Sequence, residues 1–184
     1  MAYSNTVRKE TLKSIADVSH MPFWLDDPSQ PTPESELTKN ISTDLLIISA
    51  GFTGLWTVFL AKEEDPSREV VIIEAGEVAS GASGRNGGFM DASITHGLQN
   101  GIARWPKEFP ALLALGITNL DEIESTIKSL GIECDYLRTG ELSVASEPHQ
   151  VQELKSEMEL SALYDLRSEF YDHENIQDII KSPL

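Results

Sequence analysis

The chain has 184 residues, enough for one hydrophobic core and a small second lobe, and its 40% hydrophobic residues predict a folded protein. Thirty acidic residues against 14 Lys and Arg give a formal net charge of −16. This balance argues against binding to nucleic acid or to anionic membranes, because both require a basic surface.

The N-terminal region is predicted to be a leader rather than part of the core. Residues 1–17 lack the apolar segment of a signal peptide. Residues 1–20 are weakly amphipathic, and the Pro-rich stretch 22–33 disfavours regular helix and sheet. We therefore predict a leader and extended segment over residues 1–40, held to the main domain by Phe23 and Trp24.

The next stretch has the pattern of a strand–helix–strand unit. Asp44–Ile48 is a short apolar run, which predicts a strand buried on both faces of a parallel sheet. Residues 53–64 predict a helix that Pro66 stops, and residues 70–73 predict a second buried strand ending at Glu74. The uncharged stretch 45–61 is shorter than the roughly 20 residues of a membrane span and is broken by Gly51 and Gly54, so we expect no membrane segment. We expect a cytoplasmic protein, and a single cysteine fits a reducing cytosol without requiring it.

The second half of the chain predicts further helices and two strands. Apolar residues at intervals of three to five predict a helix over residues 111–130, which Gly131 ends. Short strands are predicted at residues 132–137 and 141–145, and Pro148 is expected in the first turn of another helix. The single cysteine, Cys134, excludes an intramolecular disulfide, and we expect its side chain to be partly buried.

The turn between the first strand and the helix carries a dinucleotide-binding pattern. Residues 49–54 read Ser-Ala-Gly-Phe-Thr-Gly, and Glu74 follows Gly54 by twenty positions. Gly51 lets backbone amides approach a diphosphate at the positive end of the helix, and Gly54 allows close packing of helix on strand. Glu74 can accept hydrogen bonds from a ribose diol and repels a 2′-phosphate, which makes NADP the least favoured nucleotide.

Ser49 departs from this pattern, because it occupies the position of the first glycine. A side chain in the tight turn predicts backbone strain on the order of 1–3 kcal/mol. That strain corresponds to roughly ten- to hundredfold weaker cofactor binding, and Ser49→Gly is predicted to reverse it.

A second glycine-rich motif, Gly-Ala-Ser-Gly-Arg-Asn-Gly-Gly at residues 81–88, follows the second strand. Together with Phe23-Trp24-Leu25 and the residue 51–55 motif, it resembles the D-amino-acid oxidase superfamily of FAD-dependent amine and amino-acid oxidoreductases, above all its γ-glutamylputrescine oxidase branch. The resemblance implies an α/β fold: an incomplete Rossmann-like FAD-binding βαβ region over residues 41–131, and the truncated start of an α+β substrate domain over residues 132–184. The predicted FAD contacts are Ser49, Ala50, Gly51, Phe52, Thr53, Gly54, Glu74, Ala75, Ser83, Arg85, Asn86 and Gly87.

The resemblance also implies the reaction, which is oxidation of the C–N bond of a small amine or amino acid by hydride transfer to flavin. No residue of the chain is identified as catalytic, and the four histidines lack metal-ligand spacing. The alternative is a truncated, non-catalytic remnant that binds at most a nucleotide or a partner. An NAD-dependent dehydrogenase is disfavoured by the motif at residues 81–88.

Overall fold

The computed structural model describes residues 7–181 of the chain. It contains two short strands and six α-helices within this range, together with 3-10 turns at Phe23–Leu25 and Ala82–Gly84. In chain order the helices and strands are α1 (Lys9–Ser14), β1 (Leu45–Ile48), α2 (Phe52–Glu64), β2 (Val70–Ile73), α3 (Leu98–Arg104), α4 (Phe109–Leu130), α5 (Pro148–Ala162) and α6 (His173–Ile176). The predictions for residues 1–6 and 182–184 lie outside the described residues.

The residues fall into two compact units that divide between Phe89 and Met90. This boundary differs from the predicted domain division between residues 131 and 132, which stays a prediction. None of the described helices combines the length and the apolar character that crossing a membrane requires.

The first unit contains the predicted strand–helix–strand arrangement. Strands β1 and β2 pair in parallel, with Leu45 opposite Val70 and Ile48 opposite Ile73. Helix α2 connects them and packs near Ile47 through Gly54. The predicted βαβ unit is therefore confirmed, although the sheet has only these two strands within the described residues.

The prediction that both strands are buried is wrong. The exposure of β1 alternates along the strand, and Leu46 and Ile48 are exposed, Ile48 at 76%. All four residues of β2 are only half-buried. The reason is that α2 covers one face of the small sheet while the other face stays open to solvent. An apolar run predicts a strand, but it does not indicate whether other elements cover one face of the sheet or both.

The second unit is helical. Phe109, 2% exposed, begins the 22-residue helix α4 and makes an edge-to-face contact with Tyr164 at 5.0 Å between ring centroids. Gly131 ends α4 in the left-handed conformation with φ of 62°, as predicted. Helix α5 starts at Pro148, also as predicted, behind a capping box formed by Glu147 and Gln150.

The two strands predicted after α4 are not present. Residues 132–147, all within the described part of the chain, contain no strand. Asp135 and Gly140 have positive φ values of 51° and 77°, which interrupt an extended backbone. Arg138 ties the segment to α4 instead, through Asp121 at 2.6 Å and Glu124 at 2.8 Å. Without a sheet around it, Cys134 is exposed rather than partly buried.

Candidate cofactor site

The loop between β1 and α2 begins with a strained residue. The backbone N–H of Ser49 donates to the carbonyl oxygen of Ile73 at 2.8 Å and so continues the strand pairing. Its φ is +89°, a value that residues with a Cβ rarely adopt. The strain that the sequence predicts at the position of the first glycine is therefore present in the backbone conformation of Ser49.

The two glycines of the motif lie close to neighbouring atoms, and at Gly54 a side chain would not fit. A Cβ on Gly54 would overlap the carbonyl oxygen of Ser49, so the first turn of α2 approaches the loop more closely than any other residue would permit. A Cβ on Gly51 would lie 3.1 Å from the Ser83 hydroxyl oxygen. Both glycines therefore allow the start of α2 to lie close to the neighbouring loops.

Glu74 joins the tip of β2 to this loop. One carboxylate oxygen accepts from the backbone N–H of Ala50 at 2.8 Å, and the other accepts from Ala75 at 2.8 Å and Gly76 at 3.1 Å. The N–H of Ala50, followed by that of Gly76, holds the pKa of the Glu74 carboxyl below its ordinary value. The group is therefore an anion at neutral pH. A carboxylate offers about four acceptor positions, so three amide bonds leave room for a further donor.

The second glycine-rich motif meets the first through Ser83. Its hydroxyl oxygen accepts from the backbone N–H of Phe52, the first residue of α2, at 2.9 Å. The Asn86 side-chain amide donates to the Ser83 carbonyl oxygen at 2.6 Å, and its own oxygen accepts from the N–H of Gly88 at 2.8 Å. These bonds place the 3-10 turn at Ala82–Gly84 beside the start of α2.

A cleft of about 440 Å³ opens between these loops. Six of the twelve predicted cofactor contacts line it, together with four further residues; the full set is Ile47, Ile48, Ser49, Gly51, Phe52, Thr53, Gly54, Thr57, Ala82 and Ser83. Ala50, Glu74 and Ala75 lie at the strand tips next to it. Sequence reasoning missed Thr57, although its spacing of one helical turn from Thr53 places both on the same side of α2.

Arg85 and Asn86 line a different recess, together with residues 19–24 and Gly84. The Arg85 guanidinium donates to the carbonyl oxygen of Ser80 at 2.8 Å and to that of His20 at 3.3 Å. Gly87 is exposed beside Phe89. A phosphate contact from Arg85 stays a prediction; the two carbonyl bonds use two of the five guanidinium donors and leave three for another acceptor.

Residues 44–183 match the family described as FAD dependent oxidoreductase. The chain belongs to this family. Membership covers both glycine-rich motifs and Glu74, and it confirms the resemblance inferred from them.

Two curated relatives are similar to this FAD dependent oxidoreductase chain. The gamma-glutamylputrescine oxidoreductase of Escherichia coli is 30% identical over 138 residues, which cover 74% of this chain and 32% of the relative. The Haemophilus influenzae protein named "Probable oxidoreductase OrdL" is 28% identical over 137 residues, covering 72% of this chain and 30% of the relative. The chain thus spans about a third of the length of these relatives. No solved structure matches it significantly.

The family implies FAD, and the chemistry of the cleft is compatible with the adenosine diphosphate half of that molecule. The start of α2 carries backbone N–H groups and the positive end of the helix dipole, which favour a diphosphate. Glycines at positions 51 and 54 keep side chains out of that approach. Glu74 supplies an anionic acceptor at the strand tip. Among residues 7–181 no group of three or more His, Cys, Asp or Glu side chains is arranged to hold a metal ion.

Proposed function

We propose that this chain binds the adenosine diphosphate half of FAD in the cleft between the two glycine-rich motifs, as part of an oxidoreductase acting on the C–N bond of an amine or amino acid. The observation that carries the proposal is the meeting of Gly51, Gly54 and Ser83 at the start of α2, with Glu74 at the adjacent strand tip.

The diphosphate is assigned to the start of α2. The N–H of Phe52 now donates to the Ser83 hydroxyl, which is a neutral acceptor. A phosphate oxygen bound beside Ser83 would be a charged acceptor, and charge-assisted hydrogen bonds are roughly twice as strong as neutral ones. The Ser83 hydroxyl, while it accepts from Phe52, keeps its own proton and can donate it to the phosphate.

The adenosine ribose is assigned to Glu74. Its carboxylate is held in place by three backbone N–H groups, so little conformational freedom is lost when a ribose hydroxyl donates to it. The same negative charge disfavours a 2′-phosphate by repulsion. The site should therefore prefer FAD over NADP.

The reaction is assigned from the family and from the relatives. When bound, the flavin supplies the hydride acceptor, while the protein supplies binding, orientation and electrostatics. One relative is named a gamma-glutamylputrescine oxidoreductase, so we propose a small amine of that kind as the substrate class. The substrate-binding and catalytic groups are not assigned to residues of this chain.

A second function, nucleotide binding without catalysis, is supported by Ser49. Its φ of +89° puts strain into the loop that faces the diphosphate. If the strain increases on binding, the affinity for FAD falls, and a weakly held flavin would not sustain turnover.

The test is a competition experiment. The purified protein is incubated with FAD and passed over a desalting column, and the flavin retained is measured by its fluorescence after denaturation. We expect retained FAD that ADP displaces and FMN does not, because FMN lacks the adenosine diphosphate. A protein that retains no FAD, or from which FMN displaces FAD as well as ADP does, would refute the proposal. Retained FAD that no amine reduces anaerobically would favour the second function.

A further inference from the structure

The segment 20–25, which we call the leader clamp, is attached to the second glycine-rich motif at three points. The indole N–H of Trp24 donates to the carbonyl oxygen of Asn86 at 2.8 Å. Arg85 donates to the carbonyl oxygen of His20 at 3.3 Å. Leu25 packs against Gly84. Sixty-two positions separate Trp24 from Asn86, so these contacts are tertiary and not local.

The glycines of the motif make room for the clamp. A Cβ on Gly88, whose φ is +77°, would overlap the six-membered ring of Trp24. A Cβ on Gly84 would lie 3.1 Å from Leu25 and 2.6 Å from the carbonyl oxygen of Ala79. The glycine pattern at residues 84 and 88 thus fits the leader clamp, whereas Gly51 and Gly54 face the cleft.

A continuous chain of hydrogen bonds connects the clamp to the cleft. Trp24 donates to the backbone of Asn86, the Asn86 side chain donates to the backbone of Ser83, and the Ser83 hydroxyl accepts from the N–H of Phe52. The three distances are 2.8, 2.6 and 2.9 Å. Each bond fixes the residue that makes the next one, and the last residue is the first of α2.

We propose that Trp24 is a positioning residue for the cofactor site: its indole N–H fixes Asn86, and through Asn86 the hydroxyl of Ser83 at the place assigned to the diphosphate. The inference rests on the proposed function and adds to it a residue that lies outside the cleft. Phe23, the neighbouring aromatic residue, is 82% exposed, so the expectation that it also holds the leader is wrong. Trp24 and Leu25 make the contacts.

The test compares Trp24→Phe with Trp105→Phe. The first keeps an aromatic ring and removes the N–H donor. The second is a matched control, because Trp105 belongs to the other unit and is 41% exposed against 46% for Trp24. Leu25→Ala is a third variant, which loosens the clamp while it keeps the indole N–H.

Two quantities are measured for each variant: the FAD dissociation constant and, without FAD, the hydrogen exchange of amides 83–88. Losing one hydrogen bond of ordinary net strength should raise the dissociation constant of Trp24→Phe about three- to tenfold. Exchange at 83–88 should accelerate as well. Leu25→Ala should change both quantities in the same direction, and Trp105→Phe should change neither.

Faster exchange with an unchanged dissociation constant in Trp24→Phe would overturn the proposal, because Trp24 would then only anchor the leader. Unchanged values of both would overturn it as well. A wild-type protein that binds no FAD refutes the proposed function itself. A wild-type protein that binds FAD as tightly as Trp24→Phe refutes only the positioning role.

Discussion

The carboxylate of Glu74 accepts a hydrogen bond from the backbone N–H of Ala50 at 2.8 Å, and this bond ties the tip of β2 to the loop that follows β1. The residue expected to hold a ribose therefore also supports the loop expected to hold the diphosphate. A substitution at Glu74 should affect both parts of the site together.

The first prediction concerns Glu74→Gln, which replaces one acceptor oxygen with a donor and removes the charge. An NH2 group opposite backbone N–H groups cannot accept their hydrogen bonds. We expect FAD affinity to fall by at least tenfold, a loss of about 1.4 kcal/mol, as measured by fluorescence titration. Glu63→Gln on the exposed side of α2 is the matched control and should bind like the wild type. Equal affinities for both variants would remove Glu74 from the site.

The second prediction concerns pH. Because the amides of Ala50 and Gly76 lower the pKa of Glu74 in the folded protein, its contribution to the free energy of unfolding is present above its ordinary pKa of 4.5. That contribution is lost as the pH falls below 4.5 through the lowered value. Urea unfolding at pH 7 and at pH 4 should show a smaller loss on acidification for Glu74→Gln than for the wild type. Identical losses would contradict the assignment.

The third prediction concerns Ser49→Gly. Glycine adopts a φ of +89° without the penalty that serine incurs, but it loses more chain entropy on folding. With strain of about 1–3 kcal/mol relieved and about 0.4–1 kcal/mol of entropy opposing it, the free energy of unfolding should rise by about 1 kcal/mol. Chemical denaturation measures this change.

The FAD dissociation constant of Ser49→Gly shows whether the strain at position 49 is larger in the FAD complex than in the free protein. A ten- to hundredfold tighter complex would mean that binding increases the strain. An unchanged constant would mean that the free and bound proteins carry it equally, and Ser49 would then be harmless to the cofactor. Asp165→Gly, at a φ of +57° in the other unit, is the control and should leave FAD binding unchanged.

The fourth prediction concerns two glycines of the first unit. Gly54→Ala places a Cβ against the carbonyl oxygen of Ser49, so the helix must move away from the loop. We expect FAD retention to be lost and the free energy of unfolding to fall by about 1–3 kcal/mol, as for other overpacked sites. Gly81→Ala meets nothing within 4 Å and serves as the control. If the two variants behave alike, close approach at Gly54 has no role.

The βαβ unit could be predicted because its signals are local. The apolar runs at residues 45–48 and 70–73, the glycines of the turn and the stop at Pro66 each act within a few residues. The strain at Ser49 followed from the same pattern. These features depend on neighbouring residues and hardly on the rest of the chain.

The predictions that failed concern features that depend on residues far apart in the sequence. The segment 132–145 has strand-like composition, but a strand requires a hydrogen-bonding partner, and Arg138 binds α4 instead. The partner of Trp24 could not be inferred either, because Asn86 lies sixty-two positions away and contributes its backbone rather than a recognisable side chain. The contact of Arg85 with the carbonyl oxygen of His20 could not be predicted for the same reason, because the two residues are far apart in the sequence.

The fit between the Trp24 ring and the bare Cα of Gly88 has an evolutionary consequence. A side chain at position 88 would leave no room for the indole ring of Trp24, so the sizes of the residues at these two positions depend on each other. Relatives that carry a larger residue in place of Gly88 should carry a smaller one in place of Trp24, so these two alignment columns are expected to covary.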